Sequence, residues 1–244
     1  MKHKIKVGAV SYLNTKPLLY GIERSEIFND IDLILEYPAL LAKHLREGAI
    51  DMALMPVAAM KDIEEARIVS DYGIAADGDV ASVCIFSHVP MDEIQTVYLD
   101  YQSRTSVKLA EVLLKHYWKK EVEFLPATEN YIEYINDTKA GVIIGDRALK
   151  QLSNFPYIYD LATAWKDFTG LPFVFAAWIS NKDLPPDFTA AFNKANAEGL
   201  QHIDEVVKQN SFPYFDLKEY YTRHIHYFLD ESKKQGLQKF LSFL

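Results

Sequence analysis

Cysteine is nearly absent. Cys84 is the only one, so no intramolecular disulfide can form, and its place inside the apolar run ASVCIF reads as core packing rather than nucleophilic chemistry. Arginine is scarce too: six in 244 residues, with no Lys/Arg run and a formal net charge of −8. That balance argues against nucleic acid and anionic membrane surfaces as partners. No segment approaches the ~18 continuous apolar residues of a membrane span. The N-terminus MKHKIKVGAVSYLNTKP is basic, but its apolar run is broken at residue 11, unlike an export signal. A soluble cytoplasmic protein is expected. Also missing are a Gly-x-Gly-x-x-Gly loop, a P-loop and a Gly-x-Ser-x-Gly elbow. His224 and His226 lie in a tyrosine-rich stretch of helical pattern, where i,i+2 spacing does not make a metal pair. No cofactor and no metal are indicated.

What is present is an alternation of β-rich and helical patterns. IKVGAV (5–10), IDLILEY (31–37) and DMALM (51–55) read as strands, with helices from Pro17 and over ALLAKHLREG, the latter stopped by Gly48. RIVSDY and VASVCIF flank the turn AADGD and are expected to pair as antiparallel neighbours. A second, similar unit starts near residue 92, with a strand QTVYLD and a helix RTSVKLAEVLLKHYW. Val107, Ala110, Leu113, Leu114 and Tyr117 form that helix's apolar stripe. VEFL, AGVIIGD, YIYDL and LPFVFAAWIS add strands, and after Pro185 and Pro186 only helical patterns follow. The alternation implies an α/β fold with a largely parallel sheet. With crossings near 86–92 and 176–183, lobe 1 would comprise 1–88 plus 183–244, helical tail included, and lobe 2 would comprise 89–182. A small-ligand cleft is expected between them.

The polar signal concentrates where strands meet helices. Unpaired backbone N–H groups and partial positive charge at such a junction bind anions without a basic side chain. Two junctions qualify, SYLNTKP and YQSRTSV. In the first, Ser11, Tyr12, Asn14 and Thr15 follow an apolar strand; Asn14 can donate and accept at once, or simply cap the helix. In the second, Ser103, Thr105 and Ser106 can add hydroxyl donors, or Ser103 or Thr105 can serve only as a cap. Arg104 suits a carboxylate clamp and equally suits an outward ion pair. In VIIGDRAL, Gly145 and Asp146 end a strand. Asp146 is open to three roles (general base, ligand contact or N-cap), and Asp100 has the same ambiguity. The residues alone describe a two-lobed binder of a small anion.

Taken together, GAVSYLNTKPL (8–18), DMALMPVA (51–58), ASVCIFS (81–87), SRTSVKLAEVLL (103–114), AGVIIGDRAL (140–149) and DLATAWKDFTGLPFVFAAW (160–178) resemble the chorismate dehydratase family of the futalosine route to menaquinone. The matches are collinear and cover most of the first 180 residues. The resemblance implies a two-lobed periplasmic-binding-protein-like fold of type II, with central mixed sheets and flanking helices. It implies a cytoplasmic lyase, without cofactor, that removes water from chorismate to give 3-[(1-carboxyvinyl)oxy]benzoate. Asn14 matches the family's active-site asparagine, Ser11 and Tyr12 the cleft floor, and Ser82 and the Ser103–Ser106 turn its polar cleft positions. Asp146 falls where a sister family, the dihydroxynaphthoate synthases, would have histidine. The substrate contacts expected are Ser11, Tyr12, Ser82, Ser103, Arg104, Thr105, Ser106 and Gly145, with Asn14 and Asp146 as catalytic candidates. The cleft motifs offer no histidine, cysteine or lysine with an obvious base role, so either the substrate's own enolpyruvyl carboxylate or Asp146 acts as base. The competing readings are the sister synthase and a non-catalytic binding protein, either a transport receptor or a sensor, for a small aromatic carboxylate.

Overall fold

Apolar runs become strands and the amphipathic stretches between them become helices. The computed structural model describes residues 4–244, starting with β1 (Ile5–Ala9), α1 (Lys16–Arg24), β2 (Ile31–Leu35), α2 (Pro38–Arg46), β3 (Met52–Pro56) and β4 (Arg67–Ala76). Next come β5 (Val83–Ser87), β6 (Thr96–Leu99), α3 (Arg104–His116), β7 (Glu123–Pro126), β8 (Lys139–Ile144), α4 (Gly145–Gln151), β9 (Tyr157–Asp160) and α5 (Leu161–Thr169). The chain ends with β10 (Phe173–Ser180), α6 (Pro186–Leu200), α7 (Ile203–Gln209), the one-turn α8 (Leu217–Glu219), β11 (His226–Phe228) and α9 (Glu231–Leu241). Among the described residues no helix is long and apolar enough to cross a membrane.

Two units result. Unit 1 comprises Met1–Ala75 and Val174–Glu231, and unit 2 comprises Ala76–Phe173 and Ser232–Leu244. Unit 1 holds a six-stranded sheet of order β11-β4-β10-β3-β1-β2, and unit 2 a five-stranded sheet of order β7-β6-β8-β5-β9. Both sheets are mixed. β1 pairs parallel with β2 (Val7 opposite Leu33) and with β3 (Val7 opposite Met52), while β10 joins β3 antiparallel. In unit 2, β6 pairs parallel with β7 and β8, while β5 runs antiparallel to β8 and β9. The two sheets therefore repeat one plan.

Three expectations are corrected. The runs flanking AADGD do not form a hairpin: β4 neighbours β10 and pairs antiparallel with β11, whereas β5 pairs with β8 and β9. The turn residues instead carry the chain from one sheet to the other. Accordingly the first unit ends at Ala75 rather than near 88, and the return falls at Val174 rather than near 183. The tail is neither wholly helical nor wholly in unit 1. After α8 the backbone widens into a π-turn, with Ile225 N–H donating to Tyr220 O at 3.0 Å, and His226–Phe228 then adds an edge strand. The last helix joins unit 2 because its aromatics complete that unit's core: Phe240 lies 4.9 Å from Phe173 and 6.1 Å from Trp165, ring to ring. In α3, buried Leu109 takes the core position expected of Val107, which is half-buried.

One packing contact fixes where the first helix of unit 1 lies. α1 and α6 cross at two glycines, and a Cβ on Gly21 would sit 2.0 Å from Ala195 O, one on Gly199 2.0 Å from Pro17 O. Both neighbours are backbone, which cannot swing aside. Gly199→Ala is expected to cost about 1–3 kcal/mol or more, measured as a lowered midpoint in denaturant unfolding. An unchanged midpoint would mean that the helices separate without cost.

Candidate functional site

In unit 1 the chain leaves β1 for β2 on one side and then crosses to β3 on the other. Right-handed crossovers put α1 and α2 on opposite faces, so the connections diverge above the carboxyl end of β1. That divergence is where open parallel sheets bind ligands. The segment after β1 is Ser11–Thr15. A pocket of about 280 Å³ opens there, lined by Val10, Ser11, Tyr12, Leu35, Glu36 and Tyr37. Ser11 is exposed, Tyr12 and Asn14 are half-buried, and Thr15 is buried.

The capping reading of Asn14 fails. Leu13–Thr15 forms a short 3₁₀ turn and α1 follows with Pro17 in its first turn, yet neither Tyr12 nor Thr15, at the two caps, makes a side-chain capping bond. Among the described residues the Asn14 carboxamide oxygen accepts only from Thr15 Oγ1, at 3.3 Å. Its amide nitrogen has no hydrogen bond among the described residues. Sequence reasoning passed over Lys16, whose Nζ donates to Ser11 Oγ at 2.9 Å. Its one signal was adjacency to the Asn14 motif.

Unit 2 repeats the plan, with β6 between β7 and β8. Here Ser103 is the N-cap of α3: its Oγ accepts the Ser106 N–H at 3.2 Å and donates to Ser106 Oγ at 2.9 Å. The cap alternative is thus realised for Ser103, while Thr105 and Ser106 are buried. Arg104 is exposed. Asp146 is not a cap, since that position is Ile144; it lies half-buried in the first turn of α4. Gly145 adopts φ +61°, a conformation that favours glycine, and donates its N–H to Ser82 O at 2.7 Å. Ser82 is buried beside it, in a loop held by Asp160. One Asp160 oxygen accepts Val80 and Ala81 N–H groups at 2.9 and 2.8 Å, while the other caps α5 through Ala162 and Thr163 at 2.9 and 3.0 Å. Nothing in the local sequence marks Asp160 for that double role. Burial, and then Asp160, push the Cys84 thiol well above its ordinary pKa, which leaves it protonated and unreactive.

The switch point between β6 and β8 holds a charged cluster. Asp100, with its side chain fully buried, accepts from Arg147 Nη2 at 2.7 Å and from the Gln102 N–H at 2.7 Å. Tyr131 OH lies 2.8 Å from the same Asp100 oxygen and 2.6 Å from Val142 O. A hydroxyl has one proton, which Tyr131 shares between these two acceptors. Burial raises Asp100 above the usual carboxylate range, against the opposing pull of Arg147. Burial and Asp100 likewise push the Tyr131 hydroxyl far up. The guanidinium of Arg147 also stacks over Tyr101 at 5.0 Å, and its Nη1 is buried without a partner among the described residues. Arg147 is therefore a cation anchored at this junction by a buried carboxylate. Among the described residues no three His, Cys, Asp or Glu side chains gather as a metal site.

Two sheets of matching order, each with a strand-to-helix junction at its switch point, define a periplasmic-binding-protein-like fold of type II. A protein from Archaeoglobus fulgidus matches it with a TM-score of 0.78 at 15% identity, over 98% of this chain and 96% of its own. A Candida albicans protein described as having the generic periplasmic binding protein fold matches at 0.65 and 15% identity, over 98% and 89%. The chain belongs to the menaquinone biosynthesis family, whose model matches residues 5–244. Chorismate dehydratase from Thermus thermophilus is 28% identical over 262 residues, spanning 96% of this chain and 93% of its own length. The Campylobacter jejuni enzyme of the same name is 28% identical over 245 residues, spanning 96% and 95%.

The raised Asp100 sets a pH dependence. Such a carboxyl contributes most below its unfolded value, about 4, and the contribution is lost as pH climbs through the native value. Wild type is expected to lose stability relative to Asp100→Asn as pH rises above about 4, read from denaturant unfolding. Loss of the Arg147 ion pair offsets the variant's curve, so the slope is the readout. Parallel curves would show that Asp100 titrates as an ordinary carboxyl.

Proposed function

We propose that this chain removes water from chorismate, giving 3-[(1-carboxyvinyl)oxy]benzoate as a cytoplasmic step of the futalosine route to menaquinone. The reading rests on its near full-length similarity to two chorismate dehydratases within the menaquinone biosynthesis family. The chemistry of the junctions supports it. Chorismate carries two carboxylates, and the chain has two strand-to-helix junctions with a cation held at each, Lys16 and Arg147. In this reading Ser11 and Tyr12 serve as the polar contacts of the first junction, and Ser82, Gly145 and Ser103–Ser106 as those of the second.

In the proposed step the ring C–H bond beside the enolpyruvyl ether breaks, and its electron pair forms the new ring double bond. The neighbouring C–OH bond breaks with it. The proton and the hydroxide leave as water, and the ring becomes aromatic, which supplies a large driving force. The base is the substrate's own enolpyruvyl carboxylate, folded back against the ring proton. The protein's task is then orientation and help for the leaving hydroxyl. Asn14 suits that task because its amide nitrogen makes no hydrogen bond among the described residues and its oxygen is not committed to a cap. Holding the side chain in this conformer also disfavours its pericyclic rearrangement.

The experiment is to mix purified protein with chorismate, without metal or cofactor, and follow products by liquid chromatography and mass spectrometry. A new aromatic species lighter by one water is expected. Asn14→Ala is expected to lower turnover by about a hundredfold or more, and Asp146→Ala far less. Loss of turnover in Asp146→Ala with binding retained would transfer the base role to that aspartate. Binding without any turnover by wild type would indicate a sensor instead.

A further inference from the structure

We infer that Lys16, paired with Ser11, receives the ring carboxylate of the substrate and so sets the requirement for a benzoate-type acid. The inference rests on the dehydratase reading and adds to it a specificity residue. Lys16 Nζ donates to Ser11 Oγ at 2.9 Å, and Ser11 lines the 280 Å³ pocket at the end of β1. Lys16 is half-buried and makes no ion pair among the described residues. Lys166, Lys108 and Lys218 show what such an ammonium takes when an acid is in reach: each holds a carboxylate within 2.6–2.7 Å, of Asp77, Glu111 and Asp204.

The donor count fits a carboxylate. An ammonium has three N–H donors, and Ser11 takes one. Two remain, together with the Ser11 hydroxyl proton, which has no acceptor among the described residues. A carboxylate offers two oxygens to that set. Glu36 lines the same pocket, so an anion settles there only while Lys16 offsets that charge.

Charge also decides which of the two carboxylates it is. An ammonium beside the enolpyruvyl carboxylate would stabilise its ionised form and weaken it as a base. The ring carboxylate takes no part in the proton transfer, so it suits the ammonium that no acid offsets, while the enolpyruvyl carboxylate falls to Arg147, whose charge Asp100 already offsets in part.

The test measures chorismate turnover for wild type, Lys16→Met and Lys16→Arg, together with binding of two probes by calorimetry. The probes are 3-hydroxybenzoate, which has only the ring carboxylate, and 2-phenoxyacrylate, which has only the enolpyruvyl one. Lys16→Met is expected to raise KM by about ten- to a hundredfold and to weaken 3-hydroxybenzoate by a similar factor. Binding of 2-phenoxyacrylate should change little, and Lys16→Arg should recover most of the loss. An unchanged KM with unchanged 3-hydroxybenzoate binding would overturn the assignment while leaving the dehydratase intact. Weakening of 2-phenoxyacrylate alone would overturn the choice of carboxylate. If wild type turned over no chorismate yet bound 3-hydroxybenzoate through Lys16, the dehydratase reading would fall and the carboxylate site would stand.

Discussion

A strand whose two successors lie on opposite sides of it cannot be covered by a single helix. This applies to β1, flanked by β2 and β3, and to β6, flanked by β7 and β8. The covering helices diverge, and the backbone leaving the strand finds no neighbour with which to continue the sheet. Its N–H groups need other acceptors. Ser103 answers that need for α3, whereas no side-chain cap answers it for α1. The uncapped junction is the one beside which the pocket opens.

The junctions are held by carboxylates rather than by apolar packing alone. Asp160 satisfies four backbone N–H groups from two segments and so fixes the loop that carries Ser82. Asp100 ties Arg147 on α4 to the end of β6 and, through Tyr131, to Val142 in β8. Asp100 is buried and Asp160 half-buried, where an unmatched polar group is costly. A distortion at either site is therefore opposed strongly, which gives polar loops a rigidity they would lack in solvent.

The proposed elimination asks for little reactive machinery. Aromatisation drives it, the substrate carries its own base, and the protein supplies position and charge. A chain with one inert thiol suits such a reaction. The two cations do different work by virtue of their partners: Arg147 is neutralised in part by Asp100, while Lys16 keeps its full charge beside Ser11.

Local periodicity and turn chemistry determined the elements, the junction at Ser11–Thr15 and the inert place of Cys84, because each depends on residues a few positions apart. Burial along a helix face says that something covers it, but not what. Only tertiary packing decided that the last helix completes unit 2, through Phe240 against Trp165 and Phe173. The same holds for the edge strand at His226–Phe228, whose partners in register are the distant Ala75 and Tyr72 of β4. Charge pairing is as non-local: it is Asp100, 47 residues before Arg147, that anchors that guanidinium. Lys16 was hidden for the converse reason, since the absence of an acidic partner is a property of space and not of the neighbouring letters.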